Sequence, residues 1–257
     1  MNIKISNVSF KYDKKTTNLV LNQIDLEIKE GSINVLLGLN GSGKTTLLKL
    51  LAGLESPIGG TVYYDNQDLK TIKIRERAKI FSYVSQRATV GSDIPVRQYL
   101  SYGTTNTLAF YEHPGKDEMA IVEDIADKLH ITNLLDKNLG EISGGELQIV
   151  LIACSLIQNT PIMLLDEPTS ALDIKNQNLV LSVLKDIANK QKKTIILSSH
   201  NPNHALFLDS NVVLINNGKI CDSGSAKELI KIEKLIPIYG EHVCVSNDLD
   251  YEEISFK

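Results

Sequence analysis

The chain has 257 residues, with 27 lysines and arginines against 31 aspartates and glutamates and a net charge of −4. This length suits one sizeable core with a smaller inserted lobe, and the balanced charge offers no basic surface for gripping nucleic acid, so no nucleic-acid partner is expected. The longest nearly apolar run, residues 149–157, is far shorter than the roughly 20 residues that span a bilayer, and the N-terminus lacks a signal-peptide core, which predicts a cytoplasmic location.

The cysteines and most of the histidines are interpreted as structural residues. Cys154, Cys221 and Cys244 are widely separated and form no C-x-x-C pair, so the sequence predicts neither a zinc site nor a disulfide framework. We expect these cysteines to pack in the interior. His204 is likewise interpreted as structural.

Two stretches near the N-terminus alternate apolar and polar residues. Val8 and Phe10 show this pattern, as do Ile24 and Ile28, and alternation is typical of strands with one buried face. We predict an N-terminal antiparallel sheet. Tyr12 falls at the end of the first strand, where its ring could stack on an adenine, although a structural role is commoner for a tyrosine in this position.

A glycine-rich loop separates an apolar run, residues 33–37, from an apolar helical pattern that ends at Gly53. The loop matches G-x-x-x-x-G-K-[ST], in which the glycines allow a tight turn that points backbone N–H groups and a helix N-terminus at a phosphate. Lys44 is expected to reach the β- and γ-phosphates, and Thr45 to hold Mg²⁺. The alternative is an ordinary glycine turn. The predicted nucleotide-binding residues of the loop are Gly38, Asn40, Gly41, Ser42, Gly43, Lys44, Thr45 and Thr46.

In the middle of the chain, the alternation of strands and helices gives way to a polar segment followed by two helical patterns. A predicted strand over residues 80–84 leads to Gln86, whose amide could bind Mg²⁺ or a water, although a solvated loop residue is the commoner interpretation. Residues 88–117 are rich in Gly, Thr, Ser, Asn and Pro, which breaks the layered pattern. Apolar residues then recur at helical spacing over residues 119–129 and 147–157. These helices are predicted to form a small helical lobe.

A serine, two glycines and a glutamate begin the second of these helices. They are Ser143, Gly144, Gly145 and Glu146. The hydroxyl, the free N–H groups and the helix dipole could all address an anion. A simple helix cap is the alternative, and without further context it is the more common one.

Polar side chains follow two later strands. The apolar run 162–165 leads into Asp166 and Glu167, and a buried parallel strand that ends in carboxylates beside a phosphate loop is the expected Mg²⁺ site. Asp166 would then bind the metal or its water, and Glu167 would be free to act as a base. A strand over residues 194–198 precedes His200, at the edge where α/β folds place ligands. The alternation of strands and helices predicts a mainly parallel sheet covered by helices.

In this order, the motifs resemble those of the ATPase subunit of ATP-binding cassette (ABC) transporters over nearly the whole chain. The matching segments are Tyr12, residues 38–46, Gln86, residues 142–146, residues 162–167, residues 170–173 and His200. The resemblance implies one ABC ATPase domain of the α/β class. It would contain a P-loop NTPase (RecA-like) parallel-sheet core from residues 1–86 and 160–257, with an N-terminal antiparallel β-subdomain and an inserted helical subdomain at residues 87–159.

The resemblance also implies a head-to-tail dimer that hydrolyses ATP with Mg²⁺. Each ATP would lie between the phosphate loop of one copy and Ser143, Gly144 and Gly145 of the other, while Asp173 would bridge the two copies. Two positions depart from the family pattern, because Ile142 replaces a leucine and Glu146 replaces a glutamine. We expect Glu146 to point toward the ribose or solvent.

The resemblance assigns roles in the reaction as well. Glu167 would orient or deprotonate the attacking water, and Gln86 would sense Mg²⁺ and that water. His200 and Lys44 would stabilise charge on the γ-phosphate, with Tyr12 stacked on the adenine.

Three segments, residues 172–177, 200–205 and 238–240, look like the importer ATPases for iron–siderophore complexes, haem and cobalamin. This similarity implies a peripheral subunit on the cytoplasmic face of the membrane, bound through its helical lobe to an integral membrane permease. A substrate-binding protein would be an indirect partner. The alternatives are an ABC ATPase for another cargo, an exporter, a soluble cassette ATPase, and a P-loop phosphotransferase, for which residues 143–145 and His200 would have no use.

Overall fold

The computed structural model describes residues 2–13, 15–86, 90–106 and 114–241, together with the backbone of two more strands. The strands are β1 Ile3–Phe10, β2 Leu21–Ile28, β3 Ile33–Leu37, β4 Gly59–Tyr64, β5 Gln67–Asp68, β6 Phe81–Val84, β7 Ile162–Leu165, β8 Thr194–Ser199, β9 Asn211–Asn216, β10 Lys219–Ser225, β11 Val243–Asp248 and β12 Tyr251–Phe256. The helices are α1 Lys44–Leu51, α2 Ile74–Ile80, α3 Val96–Ser101, α4 Lys116–Lys128, α5 Gly144–Ile157, α6 Ile174–Gln191, α7 Pro202–Phe207, α8 Ala226–Leu229 and α9 Ile232–Tyr239.

The N-terminal strands form the predicted antiparallel sheet, in the order β2-β1-β4-β5. Its alternating apolar residues are buried, with Val8 at 0 %, Phe10 at 4 % and Ile24 at 1 % exposure. One face of this sheet therefore covers the core, as the period of two requires.

The central sheet has the order β10-β9-β3-β8-β7-β6, with β10 antiparallel to β9. The other neighbouring strands are parallel, and β3, β7 and β8 are buried along their whole length because both faces of the sheet are covered. The predicted α/β P-loop class is confirmed. The carboxyl ends of β3, β8, β7 and β6 lie side by side, which gathers four chain segments at one edge.

Two apolar clusters occupy the two faces of this sheet. Leu36 belongs to a cluster shared with the antiparallel sheet and α1, whereas its neighbours Val35 and Leu37 belong to the other cluster. That second cluster also contains Leu100 of α3 and Val122 of α4, so these helices pack into the same core as the sheet. The division of the chain at residues 87–159 stays a prediction.

Several details differ from the predictions. Residues 74–80 form α2, which the sequence did not predict. None of its residues is buried, so the apolar residues do not recur at helical spacing. Cys154 is buried, but Cys221 is exposed and is not the packing residue we expected. The side chain of Cys244 lies outside the described residues. Within the part of the chain that the structure covers, no helix combines the length and apolar character needed to cross a membrane.

Candidate functional site

The phosphate loop turns tightly between β3 and α1. Gly41 and Gly43 have φ values of +80° and +108°, in the left-handed region that favours glycine. A Cβ at Gly38 would lie 2.2 Å from the carbonyl oxygen of Ile215. The three glycines thus allow a backbone path that L-residues with side chains would not follow.

Polar groups buried in this loop suit an anion. Ser42 Oγ is buried and has no hydrogen-bond partner among the described residues. Lys44 Nζ donates to Gly38 O at 2.8 Å and to Leu39 O at 3.0 Å. Burial lowers the pKa of Lys44, and the nearby carboxylate of Glu167 acts in the opposite direction. A phosphate would offer the ammonium and the hydroxyl the acceptors that a buried donor needs.

Asp166 lies at the end of β7 and is held by two hydroxyl groups. Thr45 Oγ1 donates to Asp166 Oδ1 at 3.0 Å, and Ser198 Oγ donates to the same oxygen at 2.7 Å. Ser198 Oγ also accepts the backbone N–H of Glu167 at 2.8 Å. Ser198 is not among the site residues predicted from the sequence, where it stands only as a hydroxyl at the end of an apolar strand.

Glu167 is the point where the predicted reacting groups meet. Its Oε2 accepts a hydrogen bond from Gln86 Nε2 at 3.0 Å and lies 3.6 Å from His200 Nδ1, while its Oε1 lies 3.8 Å from Lys44 Nζ. Glu167 has φ +46°, a conformation rare outside glycine, and its backbone is fixed through Ser198 and Ser170. The fold therefore gathers three side chains, from three other segments of the chain, around one carboxylate.

Tyr12 lies beside the N-terminal turn of α1. Its hydroxyl is 3.1 Å from Thr46 Oγ1, and its ring packs edge-on against Phe10 at 4.9 Å. The residue remains 55 % exposed. It is therefore held near the phosphate loop with much of its surface free.

The segment at the start of α5 forms a capping box. Ser143 Oγ accepts the N–H of Glu146 at 3.3 Å, and Glu146 Oε2 accepts the N–H of Ser143 at 2.8 Å. Glu146 thus bonds back to its own helix through one carboxylate oxygen, and its expected orientation toward the ribose or solvent stays a prediction. The bond from the Ser143 backbone lowers the pKa of Glu146.

Among the described residues, neither Asp173 nor Ser143 makes a hydrogen bond to Glu167 of the same chain. Asp173 caps α6, accepting the N–H of Asn176 at 2.8 Å. In the described part of the chain, no hydrogen bond links either residue to the phosphate loop. The functional roles predicted for both residues stay predictions.

The oxygen groups at this edge suit a hard divalent cation. Such an ion prefers hydroxyl, carboxylate and amide oxygens, and Thr45, Asp166 and Gln86 offer one of each. Thr45 and Asp166 are already in contact, and Gln86 reaches the same edge through Glu167. The donor set fits Mg²⁺.

The fold and the loop define a P-loop NTPase. The sequence profile of the ABC transporter family matches residues 21–170. The chain belongs to this family and is an ATPase that binds ATP.

Three relatives resemble the chain along most of its length. A probable iron chelatin transport ATP-binding protein of Helicobacter pylori is 33 % identical over 93 % of each chain. The ferric enterobactin transport ATP-binding protein of Escherichia coli is 31 % identical over 89 % of this chain and 84 % of the relative. A relative with another cargo in its name, the molybdate import ATP-binding protein of Haemophilus influenzae, is 28 % identical over 92 % and 87 %.

Two solved structures share the fold. One, described as a metal-chelate type ABC transporter in an inward-facing conformation, aligns with a TM-score of 0.81 and 26 % identity over 99 % of this chain and 96 % of that one. The other, a bacterial ABC transporter cassette described as dimeric, aligns with a TM-score of 0.81 and 25 % identity over 87 % and 98 %.

Proposed function

We propose that this chain is the ATP-hydrolysing subunit of an importer that takes up a metal chelate, such as an iron–siderophore complex, haem or a cobalamin-like compound. The proposed hydrolytic role is supported by one observation, the clustering of Gln86, His200 and Lys44 around the Glu167 carboxylate. The names of the iron chelatin and ferric enterobactin relatives support the cargo class.

The reaction follows from the placement of these groups. The loop N–H groups and Lys44 bind the phosphates, and Lys44 and His200 stabilise charge that develops on the γ-phosphate. Glu167 orients the attacking water and accepts its proton, and Gln86 holds that carboxylate in place. Thr45, Asp166 and Gln86 would hold Mg²⁺, which would supply positive charge to neutralise the phosphate oxygens.

A second copy of the chain completes the site in this proposal. Ser143 is exposed at a helix start, where the helix dipole favours an anion such as the γ-phosphate held by a partner copy. Asp173 is exposed as well, and the next residue, Ile174, is 78 % exposed. A head-to-tail partner would cover that apolar side chain while Asp173 bridges the two copies.

The helical segment offers a surface for a membrane permease. A cavity of about 510 Å³ beside α3 and α4 mixes apolar and polar groups, and among its lining residues are Pro95, Arg97, Met119 and Leu135. A cytoplasmic helix of the permease would fit such a surface, and this contact would hold the ATPase peripherally at the membrane. A substrate-binding protein would act on the far side and touch this chain only indirectly.

The cargo is tested in cells. Deletion of this chain is expected to abolish growth on one chelated iron source while growth on free iron salts continues. Unchanged growth on iron–siderophore, haem and cobalamin sources, together with loss of molybdate uptake, would favour the cargo in the name of the molybdate relative.

Glu167→Gln tests the hydrolytic centre. Because the amide cannot accept the water's proton, we expect hydrolysis to fall at least a hundredfold while ATP still binds, and an ATP-bound dimer to accumulate on size exclusion. Glu233→Gln, an exposed glutamate on α9, serves as the control and should hydrolyse ATP normally. Normal turnover by Glu167→Gln would remove the residue from the role of base.

Ser143→Arg tests the composite site. The large cation removes the hydroxyl and blocks the helix start, so hydrolysis should vanish while each monomer binds ATP. Ser225→Arg is the matched control, because Ser225 begins α8 with the same type of capping box. Unaltered hydrolysis by Ser143→Arg would overturn the dimer site.

A further inference from the structure

Two side chains outside the reacting groups connect the segment carrying His200 to the turn after Glu167. His204, on α7, is 9 % exposed, and its Nδ1 lies 3.0 Å from Ser199 Oγ. Its Nε2 lies 3.4 Å from Oε1 of Gln177, on α6. Gln177 is half-buried between the two segments.

The other end of Gln177 holds the turn that follows Glu167. Gln177 Nε2 donates to Leu172 O at 2.9 Å and to Thr169 O at 3.3 Å. Since carbonyl oxygens only accept, the orientation of the amide is fixed, and Gln177 Oε1 must be an acceptor. His204 Nε2 therefore carries the proton that it donates to Gln177.

That tautomer sets the direction of the remaining bonds. A neutral imidazole with a proton on Nε2 accepts at Nδ1, so the single proton of the Ser199 hydroxyl is donated to His204 Nδ1 at 3.0 Å and not to the more distant acceptor Asn201 O at 3.3 Å. Ser199 Oγ in turn accepts the N–H of Asn201 at 3.0 Å. Burial, followed by the proximity of His200, lowers the pKa of His204 to about 4, which agrees with a neutral ring. Asn201 Nδ2, 3.4 Å from Nε2, faces another donor and makes no hydrogen bond with it.

We infer that Gln177 and His204 are positioning residues for hydrolysis, which hold the His200 segment and the 169–172 turn at a fixed separation. This inference rests on the roles proposed for Glu167 and His200. His200 lies between Ser199 and Asn201, both of which belong to the hydrogen-bond chain.

The consequence is geometric. His200 is exposed, and among the described residues its side chain is oriented by the 3.6 Å approach of Nδ1 to Glu167 Oε2, so the position of the ring depends on the backbone around it. The chain of hydrogen bonds also reaches the turn whose end is Asp173, the residue proposed to meet the second copy. A shift of the turn would therefore move His200 and Asp173 together, and misplacement of about 1 Å in a site of this kind lowers a rate by up to a hundredfold.

The experiment uses steady-state ATPase assays on the full chain. Gln177→Leu keeps the size of the side chain and removes both ends of the bridge; we expect kcat to fall about tenfold with KM for ATP within twofold, since the phosphate loop is untouched. Asn178→Leu, at the adjacent exposed position of α6, is the control and should leave both constants unchanged.

His204 variants test the same bridge from its other side. His204→Leu should lower kcat as Gln177→Leu does, whereas His204→Gln, which retains an N–H donor, should recover most of the rate. Because both residues act through one bridge, the double variant with Leu at both positions should be no slower than either single variant. If Gln177→Leu fails to fold, as judged by circular dichroism, the two His204 variants alone carry the test.

Three results overturn the inference: a kcat within twofold of the parent in Gln177→Leu, equal losses in His204→Gln and His204→Leu, or multiplying losses in the double variant. A different result would show that the role proposed for Glu167 is wrong. In that case Glu167→Gln would turn over normally, whatever the Gln177 variants did.

Discussion

At the scale of single residues, one buried serine connects the two acidic residues of the site. Ser198 is 0 % exposed, donates to Asp166 Oδ1 and accepts the N–H of Glu167, so one hydroxyl orders both acidic residues. Glu167 needs this support because its backbone occupies the left-handed region. Such a residue acts through its neighbours and not on the nucleotide itself.

We predict that Ser198→Ala lowers the free energy of unfolding by about 1–3 kcal/mol, because it leaves a buried N–H without an acceptor. ATP hydrolysis should fall as well, since Asp166 and Glu167 lose a shared restraint. Ser82→Ala is the matched control: Ser82 is buried in the same sheet, and its Oγ has no partner among the residues described. Chemical denaturation of both variants checks this, and equal losses would contradict the assignment.

At the scale of elements, the start of α5 combines a cap with a negative charge. The hydrogen bond from the Ser143 backbone lowers the pKa of the Glu146 carboxylate, which lies at the helix end that carries partial positive charge. A phosphate brought to this helix start by a second copy would meet that carboxylate. The negative charge of Glu146 would therefore repel the same anion that the helix dipole attracts.

We predict that Glu146→Gln strengthens ATP-driven dimerisation of the Glu167→Gln chain roughly two- to fivefold at low salt, because the amide retains an acceptor for the cap without the charge. The difference should shrink as salt screens the site. Glu228→Gln, in the matching box at α8, should have no effect. Sedimentation at two ionic strengths measures this, and weaker dimerisation of Glu146→Gln would contradict it.

At the scale of the whole molecule, one apolar cluster joins the sheet to the helical segment. It contains Val35 and Leu37 of β3 together with Leu100, Val122 and Val150 of three helices. Side chains packed in one cluster gain their stability together. The segment proposed to bind the permease is therefore tied to the strand that precedes the phosphate loop.

We predict that Leu100→Ala, at a fully buried position of α3, lowers the free energy of unfolding by about 2–5 kcal/mol. Because the cluster is shared, helix content and nucleotide binding should be lost in one urea transition. Leu54→Ala, at a 60 % exposed position, should change stability by less than about 0.5 kcal/mol. Two separate transitions in Leu100→Ala would show that the helices unfold independently.

Much of the site was predictable because its residues follow strands in a recognisable order. A predicted strand ends just before each of four site segments: the phosphate loop, Gln86, the acidic pair and His200. Parallel strands bring such ends together at one edge of the sheet. Ser198, Gln177 and His204 were not predictable, since a serine in a strand, a glutamine on a helix and a buried histidine carry no local pattern. Their roles depend on partners between 5 and 32 residues away in the chain.

The sequence by itself determined the fold class, the phosphate loop and the family. Apolar periodicity and glycine spacing are local properties, and they can be read directly from the order of the residues. Only the tertiary structure decided which strands are neighbours, and so which side chains surround Glu167. It also decided that Glu146 turns back onto Ser143 and that Gln177 bridges two segments. Hydrogen bonds need distances near 3 Å and fixed directions, and those quantities arise only when distant parts of the chain pack together.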